Sequence, residues 1–309
     1  MKNLKKILIT AVIIGVILLL LFLILSVKKA EPFKGLKFSR EFRSLSKKAV
    51  EAEKAGNKDE AIVYLEKLAQ DLPKYKKIDE ALINLARLYE ENNQLLQAKN
   101  TLQKIIAESE NGKLIQESQA EMGNLNIKIL FSPLITNDSF VYEVKEGDSL
   151  VKLAKQFNTA ADLLIKANHI KGDTLRLGMK LKITKAKFTV FVDKSQNTLA
   201  LKSNGEILKV YTVSTGLDNV TPVGTFKITN KLVNPTWYKD GVAIPAGNPQ
   251  NILGTRWMGL SEAGYGIHGT TQPETIGRHI TQGCVRMYNE EVDELYTILP
   301  VGTEVVIVE

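Results

Sequence analysis

With 309 residues, 44% of them apolar and 24% charged, the chain has the composition of a folded globular protein with room for two or three domains. A formal charge of +7 favours anionic surroundings, but Lys and Arg are spread along the chain with no basic block interleaved with aromatics, which argues against nucleic acid. The single cysteine excludes an internal disulfide and, with three histidines in all, argues against a clustered metal site.

The run Ile7 to Val27 holds 21 residues without an ionisable side chain. At about 1.5 Å per residue it matches a hydrocarbon core of ~30 Å. It is longer than the apolar region of a cleaved signal peptide and meets Val27-Lys28-Lys29 instead of a small-x-small site, so residues 1–30 read as a cytoplasmic tip and a transmembrane signal anchor. Lys2, Lys5 and Lys6 before it are matched by Lys28, Lys29, Lys34 and Lys37 after it, so charge alone gives no orientation.

From 38 to 131 alanines and leucines recur at three- and four-residue spacing, predicting an all-α region. Ala61, Leu65 and Leu68 return as Ala98, Leu102 and Ile105, and Leu85-Ala86 as Met122-Gly123, each at an offset of 37 residues, with Gly56-Asn57 and Asn92-Asn93 at turns and Pro73 closing the first unit. This resembles tetratricopeptide repeats, which imply a surface for a protein partner. The offset departs from the usual ~34, and a plain helical spacer is the alternative.

Residues 140–184 read as strand, turn at Gly147-Asp148, helix, helix, turn at Gly178 and strand. Val144, Gly147-Asp148-Ser149-Leu150, Leu153-Ala154, Phe157, Asn168, Gly178, Leu181 and Ile183 stand in the order of the LysM module, which this segment resembles. The resemblance implies a small βααβ fold that binds N-acetylglucosamine-containing glycans, with Gly147, Asp148, Ser149 and Asn168 as the glycan-side residues; His169 is read as a surface residue.

Residues 188–309 change texture. FTVFVD, TLALKS, KVYTVSTG, GTFKIT and EVVIVE are β-branched and aromatic runs separated by turn signals, predicting a mostly-β domain. One helix is expected over NEEVDELYTIL, with Asn289 as its N-cap and Glu290, Glu291 and Asp293 favourable near the positive end of its dipole.

Cys284 lies in this domain, in a glycine-flanked stretch with His268 and His279, and reads either as a buried packing residue or as a nucleophile. A thiol attacks carbonyls as thiolate and needs a base or positive partner, which a histidine supplies; amides around Gly283-Cys284-Val285 would serve an oxyanion. His268-Gly269 followed by Thr281-Gln282-Gly283-Cys284-Val285-Arg286, with VSTG and TPVGTF upstream, resembles the L,D-transpeptidase (YkuD-type) family. The resemblance implies Cys284 as nucleophile, His268 as base, the Gly269 carbonyl as orienter of the imidazole and Gly283 in the catalytic turn. Thr281 and Arg286 fall on the substrate side, Arg286 either pairing with a substrate carboxylate or bracing the loop. Gln282 replaces the family's second histidine, and His279 is read as loop or rim.

The implied reaction is a two-step acyl transfer on peptidoglycan stem peptides without metal or organic cofactor: a Cys thioester forms with loss of terminal D-alanine, and an amine then resolves it to a 3→3 cross-link. Water as acceptor gives an L,D-carboxypeptidase, a protein amine an anchoring enzyme, and a wall-binding scaffold without catalysis is the competing class. Anchor, spacer, glycan module and enzyme in series place the body on the outer face of a bacterial cytoplasmic membrane, against glycan strands.

Overall fold

A computed structural model describes residues 38–309 apart from positions 76 and 240. The candidate membrane span lies outside these residues; among the described ones no helix is long and apolar enough to cross a membrane. The chain divides into two compact units, the second beginning at Gln116.

The first unit is helical: α1 (38–54), α2 (Lys58–Asp71), α3 (Ile78–Glu91) and α4 (Leu95–Glu108), with α5 (Gly112–Leu130) crossing into the second unit. The predicted three-four spacing is the burial pattern, since Ala61, Leu65 and Leu68 of α2 are buried and so are their counterparts Ala98, Leu102 and Ile105 of α4. The turns reverse at Gly56 (φ +80°) and Asn93 (φ +58°), left-handed positions that glycine and asparagine tolerate best. Met122-Gly123, the last element of the 37-residue offset, belongs to the second unit, where Gly123 lies against the Lys209 side chain.

The second unit begins its globular part with β1 (Ser139–Glu143), α6 (Leu150–Gln156), α7 (Ala161–Ala167) and β2 (Lys180–Thr184), the two strands antiparallel from Ser139↔Thr184 to Glu143↔Lys180. Ser149 caps α6 by accepting the Lys152 N–H at 3.2 Å. One side of α7 joins the module's own core of Val144, Leu150, Leu153, Leu164, Leu181 and Ile183. The other, Ala160, Leu163 and Ala167, is buried in the main core with Ile127 of α5. Lys182 is buried and its Nζ donates to the carbonyls of Ile129 (2.8 Å), Leu130 (3.3 Å) and Ser132 (2.7 Å), closing the C-terminal end of α5. The module is therefore built into the main core instead of hanging from it. Lys182→Met is expected to lower stability by about 1–3 kcal/mol by orphaning these carbonyls, visible as a drop of several degrees in the thermal midpoint.

The remaining strands form an eight-stranded sheet in the order β13-β11-β10-β7-β14-β3-β4-β5. These are β3 (Phe188–Asp193), β4 (Thr198–Ser203), β5 (Glu206–Thr212), β7 (Gly224–Val233), β10 (Arg256–Leu260), β11 (Gly266–His268), β13 (Val285–Arg286) and β14 (Glu304–Val308). β14 runs parallel to β3 and antiparallel to β7, so the C-terminal strand lies in the middle of the sheet. KVYTVSTG, read as one run, is divided: β5 ends at Thr212, and β6 (Thr215–Gly216) pairs instead with β12 (His279–Thr281). A hairpin, β8 (Trp237–Lys239) with β9 (Val242–Ile244), forms a separate ribbon. Helix α8 (Asn289–Ile298) buries Val292, Leu295 and Ile298 against the sheet. Its cap is Tyr288, not Asn289 as expected, because the Asn289 carboxamide is drawn away to loop backbone and Tyr288 holds the extended cap conformation (φ −60°, ψ 149°).

Candidate active site

The site grows from one strand pair. β11 and β13 are parallel, with Ile267 opposite Val285 and His268 opposite Arg286. Strand side chains alternate between faces, and Ile267 and Val285 point into the core. That register places His268, Arg286 and, immediately before β13, Cys284 on the other face, where all three line one cavity of about 660 Å³. The aromatic ribbon β8 with Trp257, Leu253 and Gln282 forms more of its wall.

His268 is buried, with 2% of its surface exposed. Its Nδ1 lies 2.6 Å from the Gly269 carbonyl. A carbonyl only accepts, so Nδ1 carries the proton and Nε2 keeps its lone pair. Trp257, opposite His268 on β10, stacks on the imidazole at 6.0 Å and 22°; Gly266 makes this possible, since a Cβ there would meet the Trp257 ring at 2.6 Å. Burial first, then the Arg286 charge, pulls the imidazole down to about 4 against the opposing carbonyls of Gly269 and Leu253. Burial likewise pushes the Cys284 thiol up, outweighing the Gly266 backbone and Arg286. At neutral pH the pair rests as thiol and neutral imidazole, not as the preformed thiolate that a positive partner would hold.

Cys284 is partly exposed, its Sγ 3.7 Å from the Gly264 carbonyl. The turn before it is tightly bound. Gly283 adopts φ +121°, and a Cβ there would meet the Tyr265 ring at 2.5 Å. The buried Thr281 hydroxyl donates to the Cys284 carbonyl (2.7 Å) and accepts the Gly283 N–H (3.2 Å), so both its bonds close the turn and the Gly283 amide is already engaged. Gly283→Ala should slow Cys284 alkylation and turnover at least tenfold, because strain at this φ of about 1–3 kcal/mol and the ring contact both displace the thiol; equal rates would show that the turn tolerates a side chain.

Arg286 is 4% exposed, and its Nη1 donates to Thr275 Oγ1 (3.0 Å) and Gln272 Oε1 (3.4 Å). Its Nε is buried without a hydrogen-bond partner among the described residues. It braces the turn after Gln272 through Nη1 and leaves its buried Nε–H unspent. The VSTG segment holds its strand from the side: Ser214 and Arg286 exchange backbone hydrogen bonds at 2.8 and 2.9 Å.

His279 does not line the cavity. Its Nδ1 is 2.8 Å from Thr215 Oγ1 and its Nε2 3.2 Å from Asn197 Nδ2, while Thr215 Oγ1 donates to Asn197 Oδ1 (2.9 Å). These three side chains form a closed ring of donors that fastens β12 to β6. In the βααβ module, Gly147 takes φ +81°, Asp148 accepts from Tyr142 Oη (2.9 Å) and the Lys145 N–H (2.8 Å), and Ser149 caps α6. Asn168 accepts the Lys182 N–H (2.6 Å) and donates to Leu164 and Lys182 carbonyls (2.9 Å each). The polar side chains of this set are thus engaged in building the module.

Asn289 is the residue that sequence reasoning placed in the wrong role. Its Oδ1 accepts the Thr255 N–H (3.2 Å) and Thr270 N–H (3.0 Å), and its Nδ2 donates to the Thr270 carbonyl (2.8 Å), beside the His268 loop. Nothing local marks this role, because its partners Thr255 and Thr270 lie 34 and 19 residues away in sequence.

The family model of the YkuD L,D-transpeptidase catalytic domain matches residues 187–307, and that of the LysM domain residues 142–184. A protein of Bacillus subtilis (strain 168) bearing the name L,D-transpeptidase YqjB is 42% identical over 126 residues, 39% of this chain and 70% of the relative. Another from the same organism, named L,D-transpeptidase YkuD, is 34% identical over 173 residues, 54% of this chain and 97% of the relative. The NMR structure of the catalytic domain from E. faecium L,D-transpeptidase aligns with a TM-score of 0.34 at 23% identity, covering 39% of this chain and 96% of that one. A helical N-terminal region, a LysM module and a mostly-β catalytic domain thus follow one another, and the chain belongs to the YkuD family of L,D-transpeptidases and is an enzyme of that class.

Proposed function

We propose that the protein cross-links peptidoglycan by acyl transfer through Cys284. The observation that carries this reading is the β11/β13 register, which brings Cys284, His268 and Arg286 to one cavity wall. From the neutral resting pair, the Cys284 sulfur adds to the carbonyl of the third residue of a donor stem as its proton passes to His268 Nε2. The imidazolium returns that proton to the amine of D-alanine as the C–N bond breaks, leaving the thioester. An acceptor amine then attacks, loses a proton to His268 and expels the thiol, which takes that proton back. The Gly269 carbonyl keeps the imidazole in the tautomer this cycle needs. Because Thr281 engages the Gly283 N–H, the Cys284 amide is the turn's remaining oxyanion donor. Arg286, buried and with its Nε unspent, suits a donor carboxylate, whose charge would offset a burial cost of several kcal/mol.

The LysM module is read as a glycan site held at fixed geometry to the catalytic cavity, since the two share a core; a bound strand would raise the local concentration of its own stems. The helical unit is read as a spacer or repeat surface for a protein partner, and residues 1–30 as an anchor that leaves the rest outside the cytoplasmic membrane. Incubation of the protein with purified disaccharide-tetrapeptides, followed by mass analysis, tests the chemistry. Dimers with released D-alanine support cross-linking, tripeptides alone indicate hydrolysis, and unchanged substrate with an unmodified thiol would favour a non-catalytic scaffold.

A further inference from the structure

Helix α8 begins with a side chain turned toward the His268 loop. The Asn289 Oδ1 accepts the N–H of Thr270, 3.0 Å away. That N–H and the Gly269 carbonyl belong to one peptide group, and the carbonyl accepts His268 Nδ1–H at 2.6 Å. A continuous line of hydrogen bonds therefore runs from the carboxamide, through a single peptide plane, to the imidazole. Rotation of that plane would break both ends together.

The surroundings fit a built arrangement. A Cβ on Gly254 or on Gly269 would overlap Asn289 Oδ1, so both glycines leave the space the carboxamide fills, and Gly254 takes φ +66° to do so. Nδ2 donates to the Thr270 carbonyl (2.8 Å) and Oδ1 also holds the Thr255 N–H (3.2 Å), so the carboxamide substitutes for a strand partner just where β11 ends. Accepting the Thr270 N–H also polarises the peptide and makes the Gly269 carbonyl a better acceptor.

We infer that Asn289 is a positioning residue for His268: it fixes the Gly269–Thr270 peptide plane and thereby holds the imidazole with its proton on Nδ1 and its Nε2 lone pair toward the cavity. The functional part of this inference rests on reading His268 as the base; the structural part does not.

The test uses full-length protein labelled with 15N-histidine, which has three imidazoles to assign, His169, His268 and His279. Asn289→Ala should move the His268 imidazole nitrogen shifts away from the Nδ1–H pattern and lower kcat about tenfold to hundredfold, with KM within about threefold, since the cavity walls are untouched. Asn289→Asp keeps the acceptor for both N–H groups and should recover most of the imidazole pattern and part of kcat. Wild-type imidazole shifts in Asn289→Ala would overturn the inference, and so would a fall in kcat tracking only a lower melting temperature with the tautomer unchanged. A parallel His268→Ala variant separates the two readings: full activity there removes His268 as base, while displaced shifts in Asn289→Ala would still uphold the positioning role.

Discussion

Cys284→Ala is expected to abolish both acyl-enzyme formation and turnover while leaving the fold intact. The substitution removes one sulfur that makes a long 3.7 Å approach to the Gly264 carbonyl and a contact with the Gly266 backbone, so the stability change should stay within about 1 kcal/mol. A carbapenem, whose strained ring carbonyl occupies the donor position in the chemistry implied by the family resemblance, should add once to the wild-type protein and not to the variant by intact mass. The resting state adds a second readout. Because burial pushes the thiol up, wild-type Cys284 should react slowly with iodoacetamide near neutral pH and faster as pH rises, while the strained carbonyl is expected to acylate it readily. Rapid alkylation at pH 6 would mean a preformed thiolate, and substantial cross-linking by Cys284→Ala would end the nucleophile assignment.

His268→Ala should reduce turnover by at least about 10²-fold, the usual scale for a general base. The pH dependence carries the same assignment. Burial and Arg286 disfavour the imidazolium and pull His268 to about 4, so the neutral base is present throughout pH 5–8. The acid limb of kcat/KM should therefore fall near pH 4, well below the range of an ordinary histidine, and this limb should vanish in His268→Ala. An acid limb near 6.5 would show that the imidazole is not buried during the reaction. A greater loss from His279→Ala than from His268→Ala would make His279 the base; the ring of bonds joining His279 to Thr215 and Asn197 predicts loosened β6–β12 pairing as the main consequence of its removal.

Much of this was legible in the linear chain because the signals are local. Three-four spacing over 38–131 reports a buried helical stripe whatever that stripe meets, and Gly147 and Gly178 mark turns whose positive φ a glycine takes without strain. The His-Gly and Gly-Cys-Val-Arg segments could be paired through family likeness, although 15 positions separate His268 from Gly283. Residue order was silent where the partner is distant. Nothing in the order of residues 140–184 marks Ala160, Leu163 and Ala167 as leaving the small module, and only the packed structure decides that they join the sheet's core. Asn289 stands at a helix start, where local statistics favour a cap. Its carboxamide is taken instead by Thr255 and Thr270, brought close by β10 and β11, and no local rule sees those amides. Thr281 reads as a hydroxyl free for substrate until its turn folds around it. The sequence by itself determined which segments form helices, strands and turns, through conformational preferences each residue brings with it, and its motifs named the side chains proposed to carry chemistry. Tertiary structure alone decided which faces share a core, which amides remain open and how the imidazole is held, because those depend on non-local strand pairing and on burial that no short window contains.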